Sequence, residues 1–133
     1  MEDIMTTELT MLALSVVLGF AMILAAAQAA TARRGLDWNA GPRDEALPPL
    51  TGLAGRLDRA RANFLETFPF FAVAVLIAHV AGRNGALTFW GVQLYFWARV
   101  VYVPLYAAGI PYIRSMVWLV SVIGIALVLL ALI

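Results

Sequence analysis

The sequence predicts an all-α integral membrane protein, a bundle of four transmembrane helices with both termini on the non-cytoplasmic side. Composition is the first reason. The 133 residues are 63% hydrophobic and 13% charged, with a mean hydropathy of +0.89. A single soluble domain of that length cannot hide so much apolar surface. Segmentation is the second reason. Four apolar stretches each approach the ~20 residues that a helix needs to cross a bilayer at ~1.5 Å per residue. The third is the placement of the arginines, which crowd into alternate links.

The expected helices cover 9–32, 58–81, 87–107 and 112–133 of one domain, 1–133. The opening "MEDIMTTE" is acidic, whereas a secretory signal needs a basic start, so the first apolar segment is expected to stay in the mature protein. That segment carries Ala25, Ala26, Ala27, Ala29 and Ala30, small residues that let membrane helices approach closely. The first link, 33–57, holds Gly41-Pro42 and Pro48-Pro49 and reads as a true loop. "GRNG" at 82–85 is a tight turn, which makes the second and third helices antiparallel neighbours. "AAGIPY" ends the third helix at Gly109 and restarts the chain at Pro111, a good first-turn residue. After Arg114 the last segment is an uncharged aliphatic run, expected to face lipid or a neighbouring subunit.

Arg33, Arg34, Arg43, Arg56, Arg59 and Arg61 lie in or beside the first link, and Arg114 lies beside the third. Arg83 alone falls in the second. Loops 33–57 and 108–112 are therefore expected to be cytoplasmic.

Several chemistries drop out. A net charge of +1 gives no general attraction for nucleic acid. The absence of Cys excludes disulfides, thiolate metal ligands and a protein thiol nucleophile, so any sulfur chemistry needs a bound thiol. His79 is the single His and has no partner at ligand spacing, so no metal is expected and packing or an interfacial place is. Trp90, Trp97 and Trp118 read as interface anchors and packing. "WNAGPRDE" at 38–45 reads as a solvated turn.

The informative stretch is "RARANFLETFPFF", residues 59–71. At about 100° per residue, Arg56, Asn63 and Glu66 fall within about 60° of Arg59 on the second helix, and Arg61 falls on the opposite face. On the third helix, Tyr95, Tyr102 and Tyr106 fall within about 60° of Arg99. An Arg at that depth costs at least ~2.5 kcal/mol on insertion scales unless paired or hydrated. Glu66 is the one carboxylate at comparable depth, so the expectation is that Glu66 and Arg99 meet. Polar groups in membrane helices often serve only as glue between helices, at ~0.6–2 kcal/mol per pair. Two converging stripes that offer cations, a carboxylate, an amide and phenols also suit a small zwitterionic peptide.

"RLDRARANFLETFPFF" resembles the signature of the MAPEG family, membrane-associated proteins in eicosanoid and glutathione metabolism, through Arg56, Arg59, Asn63, Glu66 and Phe68-Pro69. "ARVVYVPLYAAGIPYIRS" resembles the same family through Arg99, Tyr102, Tyr106 and Arg114-Ser115. Gly55 and Thr67 depart from residues that members of the family carry there. The resemblance is to bacterial-type members and implies an inner-membrane homotrimer, with glutathione as co-substrate between neighbouring subunits near the cytoplasmic side. It implies that Arg56, Arg59, Asn63, Glu66, Arg99, Tyr102 and Tyr106 bind glutathione and that Arg114 is the catalytic residue, stabilising the thiolate. In a trimer Arg61 would project toward the neighbour's ligand and join the binding set.

The expected function is then a glutathione-dependent transferase or peroxidase acting on lipophilic electrophiles or hydroperoxides that arrive through the bilayer. A thiol of pKa ~8.5 is mostly protonated at neutral pH. Lowering that value by about two units takes ~2.7 kcal/mol, within reach of one Arg beside sulfur in a low-dielectric site. The family also implies an alternative, a non-enzymatic lipid-binding or accessory membrane subunit. A transporter fits less well, because the chain shows no repeat and no broken-helix pair.

Overall fold

A computed structural model of the chain describes residues 4–133; the acidic Glu2 and Asp3 lie outside the described residues. The regular elements among the described residues are all α-helices, in the order α1 (Thr7–Arg34), α2 (Leu36–Ala40), α3 (Gly52–Val80), α4 (Ala86–Ala107) and α5 (Ile113–Leu130).

α1 is well specified at both ends. The Thr6 hydroxyl accepts from the Leu9 N–H at 3.1 Å, which caps the first turn. Arg33 and Arg34 lie in the last turn, where cations complement the helix dipole. Gly35 then takes φ +94°, a conformation that a side chain resists, and stops the helix. The short α2 follows at once.

α3 starts at Gly52, six residues before the expected boundary at 58. The first link is therefore not an open loop from 33 to 57. The apolar criterion placed the boundary where the bilayer begins, but nothing after Pro48-Pro49 breaks a helix until Pro69. The arginine-rich turns are a helical extension, and Arg33 fastens its start by donating to the Thr51 carbonyl at 3.2 Å.

α1, α3 and α5 are each long and apolar enough to cross a membrane. α4 has 22 residues, but its aromatics, Gln93 and Arg99 dilute its apolar character. Large apolar side chains lie exposed along the outside, including Phe20, Phe70, Val80 and Trp90. Such a surface suits hydrocarbon and not water.

Two close crossings organise the bundle. α1 meets α3 where Gly19 lies under the Phe64 ring, so near that a Cβ on Gly19 would sit 2.5 Å from the ring edge. α4 meets α5 at Gly91 and Gly124, where a Cβ on either would lie within 2.7 Å of the other's carbonyl oxygen. Small residues allow this backbone contact. α5 thus commits the face bearing Ser121, Gly124, Ile125 and Val128 to the bundle and leaves the rest apolar and outward. At the far end from the arginine-rich links, the Thr88 hydroxyl donates to the buried Glu8 carboxylate at 2.9 Å and ties the starts of α1 and α4 together.

Candidate functional site

α3 and α4 run antiparallel, and their polar stripes meet rung by rung. The Arg56 Nε donates to the Ala107 carbonyl at 2.8 Å. That carbonyl belongs to the last turn of α4, so Arg56 satisfies an acceptor the helix leaves open. Next, the Arg59 Nε donates to the Tyr106 hydroxyl at 3.2 Å. Then the Arg99 Nη2 donates to the Asn63 Oδ1 at 2.8 Å. Deeper still, the Thr67 and Tyr95 hydroxyls lie 3.1 Å apart. Over the whole series, about three turns forward along α3 are matched by about three turns back along α4.

That register leaves no direct Glu66–Arg99 ion pair among the described residues. Asn63, not Glu66, stands level with Arg99. Among the described residues Glu66 makes no hydrogen bond or ion pair, and its side chain is exposed. Tyr95 also leaves the expected stripe. It is fully buried and stacks on Phe71, with ring centroids 3.9 Å apart. Helical angle places Tyr95 one turn from Arg99, but its hydroxyl is taken by that of Thr67 on α3.

Arg99 is 1% exposed, yet its Nε and Nη1 have no partner among the described residues. Its guanidinium lies 4.5 Å from the Tyr102 ring centre and 5.5 Å from that of Phe64. The aromatic faces offset part of the desolvation of the cation. The two unpaired nitrogens still lack the acceptors that a buried guanidinium requires.

Tyr106 is the junction of the site. The Arg114 guanidinium lies 4.6 Å from its ring centre, that of Arg59 5.9 Å, and the Tyr102 ring 5.5 Å. Arg56, Arg59, Arg99 and Arg114 thus gather at one end of the bundle with Glu66 as the neighbouring carboxylate. Such a cluster can receive carboxylates or a thiolate on its guanidinium groups and an ammonium on Glu66.

Arg61 is not part of this cluster. It pairs with Asp58 at 2.9 Å and lines a separate cleft of about 370 Å³ with Ala26, Ala30, Arg34, Trp38 and Arg43, on the α1 side of α3. Its place on the opposite face of the helix follows from the 100° step.

Sequence reasoning missed Thr67 as the partner of Tyr95 and Arg56 as the cap of α4. A hydroxyl one turn beyond Asn63 was the available signal for the first. For the second there was none, since the acceptor is a backbone carbonyl.

A model of the MAPEG family matches residues 11–133. No curated protein and no solved structure matches the chain.

Proposed function

The chain belongs to the MAPEG family, and from that premise we propose that it is a membrane-bound glutathione-dependent transferase or peroxidase acting on lipophilic substrates. The observation that carries this reading is the placement of Tyr106 between Arg59 and Arg114, beside a buried Arg99 with two nitrogens unpaired and a Glu66 with no hydrogen-bond or ion-pair partner among the described residues. Glue between helices would leave these groups mutually satisfied. Here the α3–α4 contacts use only part of them.

In this reading Arg59 and Arg99 take the carboxylates of glutathione, Glu66 takes its ammonium, and Asn63 and Tyr102 complete the peptide contacts. Arg56 holds the end of α4 in place. Arg114 faces the sulfur and favours its ionised form. For conjugation, the thiolate forms a C–S bond to an electrophilic carbon, whose displaced electron pair leaves with a group or takes a proton. For reduction, the thiolate attacks the outer oxygen of a hydroperoxide and releases the alcohol; a second glutathione then gives the disulfide and water. The apolar substrate enters from the bilayer and needs no aqueous path.

The same reading takes four membrane spans, with α4 shielded by its neighbours, and puts both arginine-rich links on the cytoplasmic face of an inner membrane. It also takes a homotrimer. The cluster at Tyr106 and the cleft at Arg61 lie on opposite faces of α3, so a copy placed around a symmetry axis brings the Arg61 face of one chain to the Tyr106 face of the next.

The test is a titration of purified protein in mild detergent with glutathione, following heat of binding and thiolate absorbance. Binding with thiolate formation supports the enzyme. If glutathione at millimolar concentration neither binds nor reacts with a generic electrophile, the reading fails, and the non-enzymatic member of the same family takes its place.

A further inference from the structure

Between the two helices that carry Tyr106 and Arg114, the chain makes a turn that its sequence does not favour. α4 closes at Gly109, whose φ of +74° lets the Ile110 N–H reach back to the Leu105 carbonyl at 3.1 Å. Three residues after Gly109, Tyr112 also takes a positive φ, at φ +60° and ψ −62°. The Ile113 N–H donates across it to the Pro111 carbonyl at 2.6 Å. These are the dihedrals and the hydrogen bond of the γ-turn with positive φ, the rare and strained form. A bulky residue there is a strained outlier.

Nothing local favours Tyr at this position. Its side chain is 83% exposed, so packing does not hold it. It is the N-cap of α5, where Ser, Thr, Asp or Asn would accept from the open N–H groups, and it makes no side-chain cap. Its carbonyl does start the helix, accepting from the Met116 N–H at 3.0 Å. The strain is sustained from both sides. Arg56 holds the α4 end through the Ala107 carbonyl, and the Gly91–Gly124 contact fixes α5 against α4 further along. Arg114 stands two residues past the turn, with its guanidinium over the Tyr106 ring.

We propose that Tyr112 is a positioning residue: the γ-turn of its backbone sets the direction in which α5 starts, and thereby holds Arg114 against Tyr106 in the thiolate site. This rests on the glutathione reading for its chemistry, and on the backbone alone for its geometry. The ring contributes nothing to it. A residue that tolerates φ +60° therefore keeps the site, and one that cannot adopt it loses the site.

The experiment compares Tyr112→Gly, Tyr112→Ala and Tyr112→Pro. Glycine takes the turn without strain. Alanine keeps both the turn and the strain. Proline is locked near φ −65° and cannot form it. Thiolate formation is titrated against pH with glutathione, and affinity is read separately with an S-alkyl glutathione, which has no thiol to ionise. In Tyr112→Gly and Tyr112→Ala the thiolate titration stays where wild type has it, and Tyr112→Gly melts at a higher temperature. In Tyr112→Pro the titration moves to higher pH by about one unit, a roughly tenfold loss of thiolate at neutral pH, while S-alkyl glutathione still binds. If Tyr112→Pro does not fold, one glycine inserted between Pro111 and Tyr112 breaks the same closure and gives the same displacement.

A second measurement is independent of glutathione. In protein labelled at arginine, the ring of Tyr106 shifts the Arg114 side-chain resonances, and that shift survives in Tyr112→Gly and vanishes in the proline or insertion variant. Wild type that binds no glutathione would sink the functional reading and leave this second measurement to decide the geometry. A proline or insertion variant with wild-type titration and wild-type Arg114 resonances overturns the proposal. So does a Tyr112→Gly variant that loses as much as Tyr112→Pro, because the ring and not the turn would then be responsible.

Discussion

Arg99 donates to Asn63 at 2.8 Å and leaves Glu66 to the open side of the bundle. This one pairing separates the roles of the two side chains. Asn63 supports Arg99 from within the chain, and Glu66 makes no hydrogen bond or ion pair among the described residues.

Asn63→Leu should therefore act on stability first. It removes the one hydrogen-bond partner found, among the described residues, for a guanidinium that is 1% exposed and already has two unpaired nitrogens. A buried charged donor left without an acceptor costs about 1–3 kcal/mol or more. The melting temperature in detergent should fall clearly, and Asn63→Asp should recover much of the loss by offering a charged acceptor. Equal melting of wild type and Asn63→Leu would mean that the rings of Tyr102 and Phe64 suffice to hold Arg99.

Glu66→Gln should do the opposite. No hydrogen bond or ion pair among the described residues is lost, so stability should stay within about 0.5 kcal/mol of wild type. Affinity for glutathione should drop, because the ammonium loses its counter-charge. A Glu66→Gln protein that binds glutathione normally would remove Glu66 from the site.

The two cations on Tyr106 should also divide. Arg114→Ala should cut thiolate formation and turnover, by up to roughly 100-fold if it supplies the ~2.7 kcal/mol that two pKa units require. Its loss of affinity should be smaller. Arg59→Ala should weaken binding first, and it also gives up the hydrogen bond to the Tyr106 hydroxyl. S-alkyl glutathione separates the two effects, because only Arg59→Ala should lose affinity for it. If both variants lose the thioether equally, Arg114 is a binding residue.

The sequence disclosed the helices and the faces but not the register. Apolar length located four of the helices to within a few residues, apart from the start of α3, where charged turns continue a helix past the bilayer. The 100° step put Arg56, Arg59, Asn63 and Glu66 on one face of α3, and their contacts with α4 begin from that face. Angle alone says nothing about depth, however. A direct Glu66–Arg99 ion pair is absent among the described residues because Asn63, less than one turn away, takes the guanidinium, and the Tyr95 phenol meets Thr67. The α4–α5 turn was legible only as a break at Gly109 and Pro111. That its strained residue is Tyr112 follows from how α4 and α5 pack, a long-range effect with no local signature.

The last prediction concerns the two faces of α3. Arg61 lies in a cleft with Arg34 and Ala30, away from Arg59 and Tyr106, and among the described residues it pairs only with Asp58. A site confined to one chain would not feel Arg61→Ala, since an exposed pair of this kind contributes about 0–1 kcal/mol. A site shared between copies would. In a closed ring each interface joins the Arg61 face of one chain to the Arg59 face of its neighbour. Arg59→Ala and Arg61→Ala should then each weaken glutathione binding as pure oligomers. Co-expressed, they should recover part of it, because an interface between an Arg59→Ala chain and an Arg61→Ala chain is intact in one of its two orientations. Native mass spectrometry of the mixture would count the copies, and titration would count the restored sites. Recovery requires that two chains build one site. Its absence, with mixed oligomers present, would confine the site to a single chain and return Arg61 to a surface pair with Asp58.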